Sequence, residues 1–576
     1  MNNARVILCN RENVWLFAKD RIIYLTSETG HKLVPNQTVS FENESLTPIC
    51  SSDIEFIGDT IQALLQQYEL YSLSIDKIVS GKVDKNHAII VGRLCISSKT
   101  RYGITSKGLQ RYLFIPRNRS YPNYIVASKL KQTSIDVYCS IEIEKWEDSN
   151  KNPYASLVEV LGNVTDPSIY EKVIVGSSNL LARSRNKDHR EETKRFKELK
   201  SIDSNIDEDW TEIVTMSIDP LGCRDVDDCL SIKYIDSVIE LAVHIAAPTR
   251  LFDKKSKTGL ISCEQITSIY GNLKTYHLLP EIIGTNKASL LPNEEKYCLS
   301  VIFSNVSQPR IVRTKIRNNF ALSYEEAENI VEYKDLYNGY VELFKDKPED
   351  SHVLVEKLMI KANEFVAQYL VKHSKSNALL RKTVNNVGTW YLPYSEDGSN
   401  KHESLELDLY THFTSPIRRC ADQLVHRQIF DILDGKTPEK LENDEIVNLN
   451  LVKNKIKLID SQLKWSLLAS PDCYIQLKGK LLYQNDLYAR VDIVEPKEMR
   501  ISIPLISRKI TDLVKIVNNS ESNSFSLEYN ETTTLEISNE VELQVNLYWT
   551  SSEGLDGFRF EWVNPPICEW LSCLDT

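Results

Sequence analysis

The chain has 576 residues, 80 acidic against 69 basic side chains, a formal net charge of −11 and a hydrophobic content of 42%. That composition excludes a wholly disordered or collagen-like chain. It also excludes a helical membrane bundle, because no stretch approaches the roughly 20 unbroken apolar residues a spanning helix needs.

The N-terminus, MNNARVILCNRENVWLFAKD, has no basic patch followed by an apolar core, so no secretory signal is expected. Twelve cysteines are scattered with no CxxC pair, in apolar strings such as Leu8-Cys9 and Tyr138-Cys139. They read as reduced core thiols in an intracellular, cytoplasmic protein, with no zinc site and no membrane partner.

From residue 1 to about 170 the pattern is short and β-like: RVILC, VWLFA, RIIYLTS, HAIIVGRLCIS, QRYLFIP, IDVYCSIEI and ASLVEVLGNV. One exception, DTIQALLQQYELY, has helical spacing. Two small β domains are expected, over 1–85 and 86–170. Residues 82–132 hold eleven Lys or Arg and one acid, Asp84, with Tyr102, Tyr112, Phe114, Tyr121 and Tyr124 interleaved. Cations for phosphates beside rings for bases are the footprint of single-strand nucleic-acid binding. Arg101, Lys107, Arg111, Tyr112 and Phe114 are the candidate contacts; a solvated strand face is the competing explanation.

The segment LARSRNKDHREETKRFKELK has helical propensity but no apolar face, so a solvated linker helix is expected within 171–209. Residues 210–470 mix strands with long helices. In HVLVEKLMIKANEFVAQYLVKHS the spacing of Leu354, Leu358, Ala362, Val366 and Leu370 predicts a helix with one buried stripe. Residues 471–576 return to β patterning (YIQLKGKLLY, YARVDIV, VELQVNLYW), which suggests a further barrel. The last stretch, 521–576, carries eleven acids against one base, Arg559, and faces either a basic partner or none. The predicted class is therefore α+β.

The most informative stretch is SIDPLGCRDVDDCLSI, with Asp219, Asp225, Asp227 and Asp228 within ten residues. Apolar strands enter and leave it, so the acids lie on a loop at the core of a domain. Pro220 and Gly222 permit a sharp path. A carboxylate pair ~4 Å apart costs roughly 1 kcal/mol in water and about 4 at an effective dielectric of 20. Four together demand counter-charge, and two divalent ions would supply it while acting on a phosphodiester. All-oxygen ligands suit Mg²⁺, with Mn²⁺ the alternative. An acidic surface turn or a structural calcium loop is the competing explanation, although EF-hand spacing is absent.

A second stretch is YTHFTSPIRRCADQLVHRQIFDIL. Ser415 suits an N-cap and Pro416 a first helical residue, which would put Arg418 and Arg419 in the first turn. Helix N–H groups with arginine forks make a phosphate site. A plain ion pair, Arg418 with Asp422, is the alternative. His412 and His426 read as structural.

Together these stretches resemble the ribonuclease II family, whose catalytic unit is the RNB domain. SIDPLGCRDVDDCLSI is similar to its acidic signature and YTHFTSPIRRCADQLVHR to its arginine signature. LAVHIAAPTRLF, the TSIY ending at Tyr270, KASLLPNEEKYCLSVIF and MIKANEFVAQYL follow the family's order. SIEIEKWEDSNKNPYASLVEVLGNVTD resembles the second cold-shock barrel of the branch that includes the exosome's catalytic subunit.

The resemblance implies N-terminal barrels of cold-shock/OB type, an RNB domain over 210–470 and a C-terminal OB-like barrel. It implies a processive, Mg²⁺-dependent 3′→5′ exoribonuclease that hydrolyses single-stranded RNA to nucleoside 5′-monophosphates. Such a protein would be a monomeric catalytic unit within an assembly of exosome or helicase type. By motif position, Asp219 and Asp228 hold metal and Asp225 shares that shell. Asp227 matters more to cleavage than to binding, Arg418 grips the scissile phosphate, Arg419 supports the nearby backbone and Tyr270 packs on a terminal base. The sequence departs from the family pattern at Cys420, where a tyrosine is usual, at Asn377, where a stacking aromatic is usual, and at about Ile459, where a glutamate is usual. The alternative is a catalytically weak or inactive RNB scaffold that binds RNA and acts in its regulation.

Overall fold

The computed structural model describes residues 2–9, 14–18, 21–26, 33, 37–41, 46–49, 69–74, 78–82, 89–118, 121–131, 133–145, 152–178, 187–198, 205–384, 388–468, 474–484, 488–495, 499–504, 514–519, 524–529, 533–538, 542–565 and 567. The chain divides into two compact units. One comprises 1–182, 270–274 and 454–576; the other comprises 183–269 and 275–453.

In the first unit, the N-terminal strands are β1 (Asn2–Cys9), β2 (Val14–Ala18), β3 (Arg21–Thr26), β4 (Thr38–Phe41), β5 (Thr47–Pro48), β6 (Glu69–Ser74) and β7 (Ile78–Lys82). They form one sheet in the order β5-β6-β3-β2-β1-β4-β7. Val6, Val14, Leu16, Ile23, Val39 and Phe41 fill its core. The helix expected over DTIQALLQQYELY lies outside the described residues except at its end. There Glu69–Tyr71 are strand, paired in parallel with Arg21–Ile23, so sheet pairing overrides local helical spacing.

The next five strands close into a barrel: β8 (Ile89–Leu94), β9 (Gln110–Pro116), β10 (Tyr124–Ser128), β11 (Val137–Lys145) and β12 (Tyr154–Asn163), in the order β10-β12-β11-β8-β9. Period-two alternation decides which side chains face inward. Tyr112, Phe114, Tyr121 and Tyr124 are all buried, in one cluster with Ile90, Val126 and Ile141. This corrects the reading of Tyr112 and Phe114 as base-stacking residues. Phe114 is fully enclosed, and the Tyr112 hydroxyl donates to the Leu130 carbonyl at 3.1 Å. The three candidate cations stay out of that core. Arg101 and Lys107 are exposed and Arg111 is half-buried over the Tyr154 ring at 4.8 Å. Arg93 is committed internally to Asp136 at 2.7 Å. A short helix, α1 (Tyr170–Ser177), follows.

In the second unit, a helix α2 (Lys187–Glu198) comes first. It is docked, contrary to the solvated spacer expected from its charge. Phe196 enters the core beside Trp210, and the Glu192 carboxylate accepts from Thr258 N and Oγ1 at 2.7 and 2.6 Å. One aromatic ring anchors a helix that has no apolar stripe.

The central sheet contains β13 (Glu208–Asp209), β14 (Thr215–Ile218), β15 (Asp228–Ile235), β16 (Val238–Ala246), β17 (Glu295–Ser304), β18 (Arg310–Arg317) and β19 (Phe320–Leu322). Their order is β13-β18-β17-β16-β15-β14-β19, antiparallel except at the β13–β18 and β14–β19 pairs. Helices α3 (Lys257–Gln265), α4 (Tyr324–Ala327), α5 (Val331–Phe344) and α6 (Ser351–Ser374) belong to this unit. The predicted stripe on α6 is fully enclosed at Leu354, Leu358, Ala362, Val366 and Leu370. A hairpin of β20 (Leu379–Thr383) and β21 (Thr389–Pro393) precedes α7 (Cys420–Leu433) and α8 (Asn443–Leu467). Among the described residues no helix is long and apolar enough to cross a membrane.

The C-terminal strands, back in the first unit, are β22 (Tyr474–Gln484), β23 (Tyr488–Glu495), β24 (Met499–Pro504), β25 (Val514–Asn519), β26 (Ser524–Tyr529), β27 (Thr533–Ser538), β28 (Glu542–Trp549) and β29 (Phe558–Asn564). They form a five-stranded sheet, β24-β23-β22-β28-β29, and a three-stranded one, β25-β26-β27. Within this unit the Tyr138 hydroxyl accepts from Leu555 N at 2.9 Å and Tyr170 packs edge-on against Trp549.

The barrel's tightest point is Gly92, where a Cβ would meet Ile115 O at 2.3 Å and Pro116 Cα at 2.8 Å. Gly92→Ala should therefore destabilise the barrel by about 1–3 kcal/mol. Hydrogen exchange should show protection lost across 89–163 and retained across 215–246; equal protection in both variants would refute the packing argument.

Candidate active site

The acidic loop is built by its two strands. All four residues of β14 are buried, and Asp219 follows directly, its N–H donating to Leu322 O at 2.9 Å. Gly222, at φ +84°, turns the chain back, and Asp228 opens β15 opposite Ile245. Backbone bonds then fix the loop. Ala246 N donates to Asp227 O at 2.8 Å and Leu290 N to Val226 O at 3.1 Å. The Ser289 hydroxyl accepts from Val226 N at 3.0 Å and donates to Arg224 O at 2.9 Å. Ser289 carries no sequence signal that would mark it for this role.

The arginine stretch differs from expectation. The helix α7 starts at Cys420, with Arg419 as its extended N-cap residue. Ser415 and Pro416 lie in the turn before it, so Arg418 and Arg419 precede the helix rather than forming its first turn. Asp422 explains the shift. Its Oδ1 accepts from Ser415 N at 2.7 Å and from Arg419 Nη2 at 2.9 Å, which ties the turn to the helix from below. The plain ion pair weighed as the alternative, Arg418 with Asp422, does not form: Asp422 pairs with Arg419 and is fully buried.

Arg418 instead reaches the acids. Its Nε donates to Asp227 Oδ2 at 3.1 Å, and its Nη2 donates to Ser415 Oγ at 3.2 Å. Ile417 N donates to the other Asp227 oxygen at 2.8 Å. Asp227 is 2% exposed while the Arg418 side chain is 45% exposed. Two segments some 190 positions apart therefore meet on one carboxylate. Asn363 on α6 holds the approach to the turn, accepting from Phe413 N at 2.8 Å and donating to the Tyr410 hydroxyl at 3.1 Å.

Burial raises the acids' affinity for protons. Asp219 is pushed up to about 6 by burial, with the Asp225 charge adding to it and Arg418 opposing. Asp227 is pushed up to about 7 by burial, against the pull of Arg418 and the Ile417 N–H. Asp228 rises well above the carboxylate range through burial and the charges of Asp219 and Asp227. Asp225 has one oxygen 3.9 Å from His277 Nδ1. Asp219 Oδ2 is buried with no hydrogen-bond partner.

Among the described residues no three His, Cys, Asp or Glu side chains already converge as metal ligands. The donor chemistry nevertheless fits a hard divalent cation: only carboxylate oxygens, one of them orphaned, in a cluster whose charges oppose one another's ionisation.

His412 and His426 are structural. The first is paired with the Tyr391 hydroxyl at 2.6 Å and with Arg381, the second with Phe413 O at 2.8 Å. Burial keeps both neutral. Tyr270 is half-exposed, in the first unit.

The sequence matches the RNB domain over 207–337 and 389–435 and the Dis3-like cold-shock domain 2 over 111–177. Residues 207–337 and 389–435 thus carry an RNB domain. Both signature stretches fall inside the matched segments. Among its relatives, the probable exosome complex exonuclease RRP44 of Caenorhabditis elegans is 24% identical over 437 residues, covering 56% of this chain and 45% of that one. Ribonuclease R of Chlamydia muridarum is 26% identical over 318 residues, covering 38% and 46%. The chain thus spans about half the length of the curated relatives it matches. Apo RNase R of Mycoplasma genitalium shares the RNB-family fold at a TM-score of 0.63 and 17% identity, covering 96% of this chain and 99% of that one. Yeast Ssd1, a pseudonuclease, superposes at a TM-score of 0.55 and 14% identity, covering 92% and 81%.

Asp422→Asn should cost about 3 kcal/mol, the low end for a broken buried pair, because it leaves the half-buried Arg419 without its counter-charge. Replacing both residues by apolar ones should recover much of that loss. Urea unfolding of the single and double variants measures it, and a double variant no more stable than Asp422→Asn would contradict the pairing.

Proposed function

We propose that this RNB domain makes the chain a divalent-metal-dependent 3′→5′ exoribonuclease, which shortens single-stranded RNA and releases nucleoside 5′-monophosphates. The observation that carries the reading is the Asp227 carboxylate, which holds the arginine turn through Ile417 N and Arg418 Nε, so that the Arg418 charge acts on Asp219 and Asp228. A site for one phosphodiester needs anions to hold cations and a cation to hold the phosphate; here both lie on either side of one side chain.

Asp219, Asp225 and Asp228 would hold the cation, Mg²⁺ in the first instance. When bound, it would neutralise the carboxylates and polarise water and phosphate oxygen for hydrolysis. The remaining work belongs to the chain's own residues. Arg418, oriented by Asp227 and Ser415, presents a half-exposed guanidinium to the scissile phosphate. Arg419, committed to Asp422, holds the turn in place and is a positioning residue. Asp227 aims Arg418 and has both oxygens engaged, which fits a role in cleavage rather than in binding. The outward cations Arg101, Lys107 and Arg111 would meet RNA phosphates. In this reading the protein works inside the cell, in the cytoplasm, as a catalytic unit that an exosome-like assembly could recruit.

A second reading is an RNA-binding scaffold without cleavage. In its favour, no three carboxylates converge among the described residues. Retention of all four acids, with an orphaned oxygen on Asp219, favours the enzyme.

The test uses single-stranded RNA labelled at its 5′ end, with Mg²⁺. The wild type should shorten it stepwise from the 3′ end. Asp227→Asn should lose on the order of 100-fold or more in rate, as misplacement of a reacting group does, while its Kd for RNA stays near wild type. Binding without shortening by the wild type would hand the case to the scaffold reading. A steep fall of RNA affinity with salt should accompany binding, and should flatten when Arg101 and Lys107 are replaced by Gln. An unchanged salt slope in that variant would remove the barrel cations from the proposed path.

A further inference from the structure

Two thiols lie against each other behind the arginine turn. Cys263, on α3, and Cys420, the first residue of α7, have their Sγ atoms 3.5 Å apart. Neither is in a disulfide; Cys420 is buried and Cys263 is half-buried. The same two segments are stitched along their backbones. Cys420 N donates to Ile266 O at 2.8 Å, Ser268 N to Arg418 O at 2.9 Å, and Thr267 Oγ1 to Arg418 O at 2.8 Å.

The pair is asymmetric. The Cys420 thiol donates its hydrogen bond to Cys263, which holds the Cys263 thiol below its ordinary value. The charges of Lys254 and Arg427 help, while burial and Glu445 oppose. Cys420 is pushed the other way by that bond and by burial. Elsewhere in the chain, burial drives Cys139, Cys229 and Cys298 far up, and Cys223 up to about 12. The half-buried Cys263 sulfur is the one a small oxidant reaches, and the enclosed Cys420 sulfur lies 3.5 Å behind it, which is the arrangement of an attacking and a resolving cysteine.

We propose that Cys263 and Cys420 are an oxidation site, at which a hydroperoxide converts the pair to a disulfide and the bridge displaces the arginine turn. The Cys263 thiolate attacks one peroxide oxygen; the O–O bond breaks, leaving a sulfenic acid and hydroxide. The Cys420 sulfur then attacks the Cys263 sulfur, the S–OH bond breaks, and water departs. The Cys420 proton leaves with that water, and the proton that Cys263 gave up on ionising neutralises the hydroxide, so two thiols and one hydrogen peroxide give one disulfide and two waters. Closure takes the sulfurs from 3.5 Å to about 2.05 Å. Because Cys420 directly follows Arg418 and Arg419, that contraction pulls on the turn that aims them. This second consequence rests on the proposed role of Arg418; the oxidation site itself does not.

The full chain, reduced and then treated with graded hydrogen peroxide, should be alkylated in denaturant and its peptides mapped by mass. The expected result is a linked peptide joining Cys263 and Cys420, lighter by two hydrogen atoms, with Cys139, Cys229 and Cys298 still alkylated. C420S should stop at a Cys263 sulfenic acid that dimedone traps, and C263S should leave Cys420 reduced. No link, a link elsewhere first, or oxidation of Cys420 in C263S at the wild-type peroxide dose would overturn the site. In parallel, the oxidised chain should shorten RNA more slowly by about 10- to 100-fold, as a shift of ~1 Å at a reacting centre does. Dithiothreitol should restore the rate, and C263S should be insensitive to peroxide. A bridge that forms without changing the rate overturns the displacement of the turn. A reduced chain that never shortens RNA overturns the proposed function, and the peptide map still decides the oxidation site.

Discussion

The second unit turns on one buried carboxylate. Asp227 is enclosed, yet its two oxygens serve two partners on a distant segment: the Ile417 N–H and the Arg418 guanidinium. A buried, singly paired carboxylate is costly, and removing either partner leaves the other without compensation. The position of the arginine turn and the position of the acidic loop are thus one constraint. The neighbouring acids make it a stiff one, since burial and mutual repulsion raise Asp219 and Asp228 as well. A cluster of this kind has two ways to lower its energy, taking up protons or taking up a cation, and a hard divalent ion answers all of its charges at once.

How much of this was legible in the sequence depends on the kind of signal. The acidic loop was legible because strand patterning fixed where it sits: apolar TMSI before Asp219 and CLSI after Asp228 leave the loop nowhere else to go. The stripe on α6 was legible because helical periodicity integrates over many residues. The start of α7 was not. Ser415-Pro416 is a sound local start signal, but the side chain of Asp422, the seventh residue of the expected helix, captures the Ser415 N–H while Arg419 stays extended. Tertiary hydrogen bonding outcompeted the local cap.

The barrel rings failed for a different reason. Interleaved aromatics and cations look like a binding face in one dimension, but period-two alternation sends them to opposite sides. Tyr112 and Phe114 enter the core, while Arg111 and Lys107 stay outside. A composition count cannot see this; the parity of QRYLFIP could have shown it, since Arg111 and Leu113 share one face and Tyr112 and Phe114 the other. The charged helix α2 carries the converse lesson. It has no apolar stripe, yet a single ring, Phe196, and a single carboxylate, Glu192, are enough to seat it.

Seen from Asp227, the residue at position 420 occupies an unusual place. The turn before it is fixed on one side by the acids and on the other by Asp422, while its backbone is hydrogen-bonded to the end of α3. A side chain at 420 is therefore placed to transmit displacement into that turn. A large aromatic there could act only by packing. A thiol facing a second thiol adds a covalent option, because the same contact can contract when electrons are removed. The turn that aims Arg418 thus has two anchors of different chemistry, one ionic and set by the acids, the other sulfur-based and set by the redox state around α3.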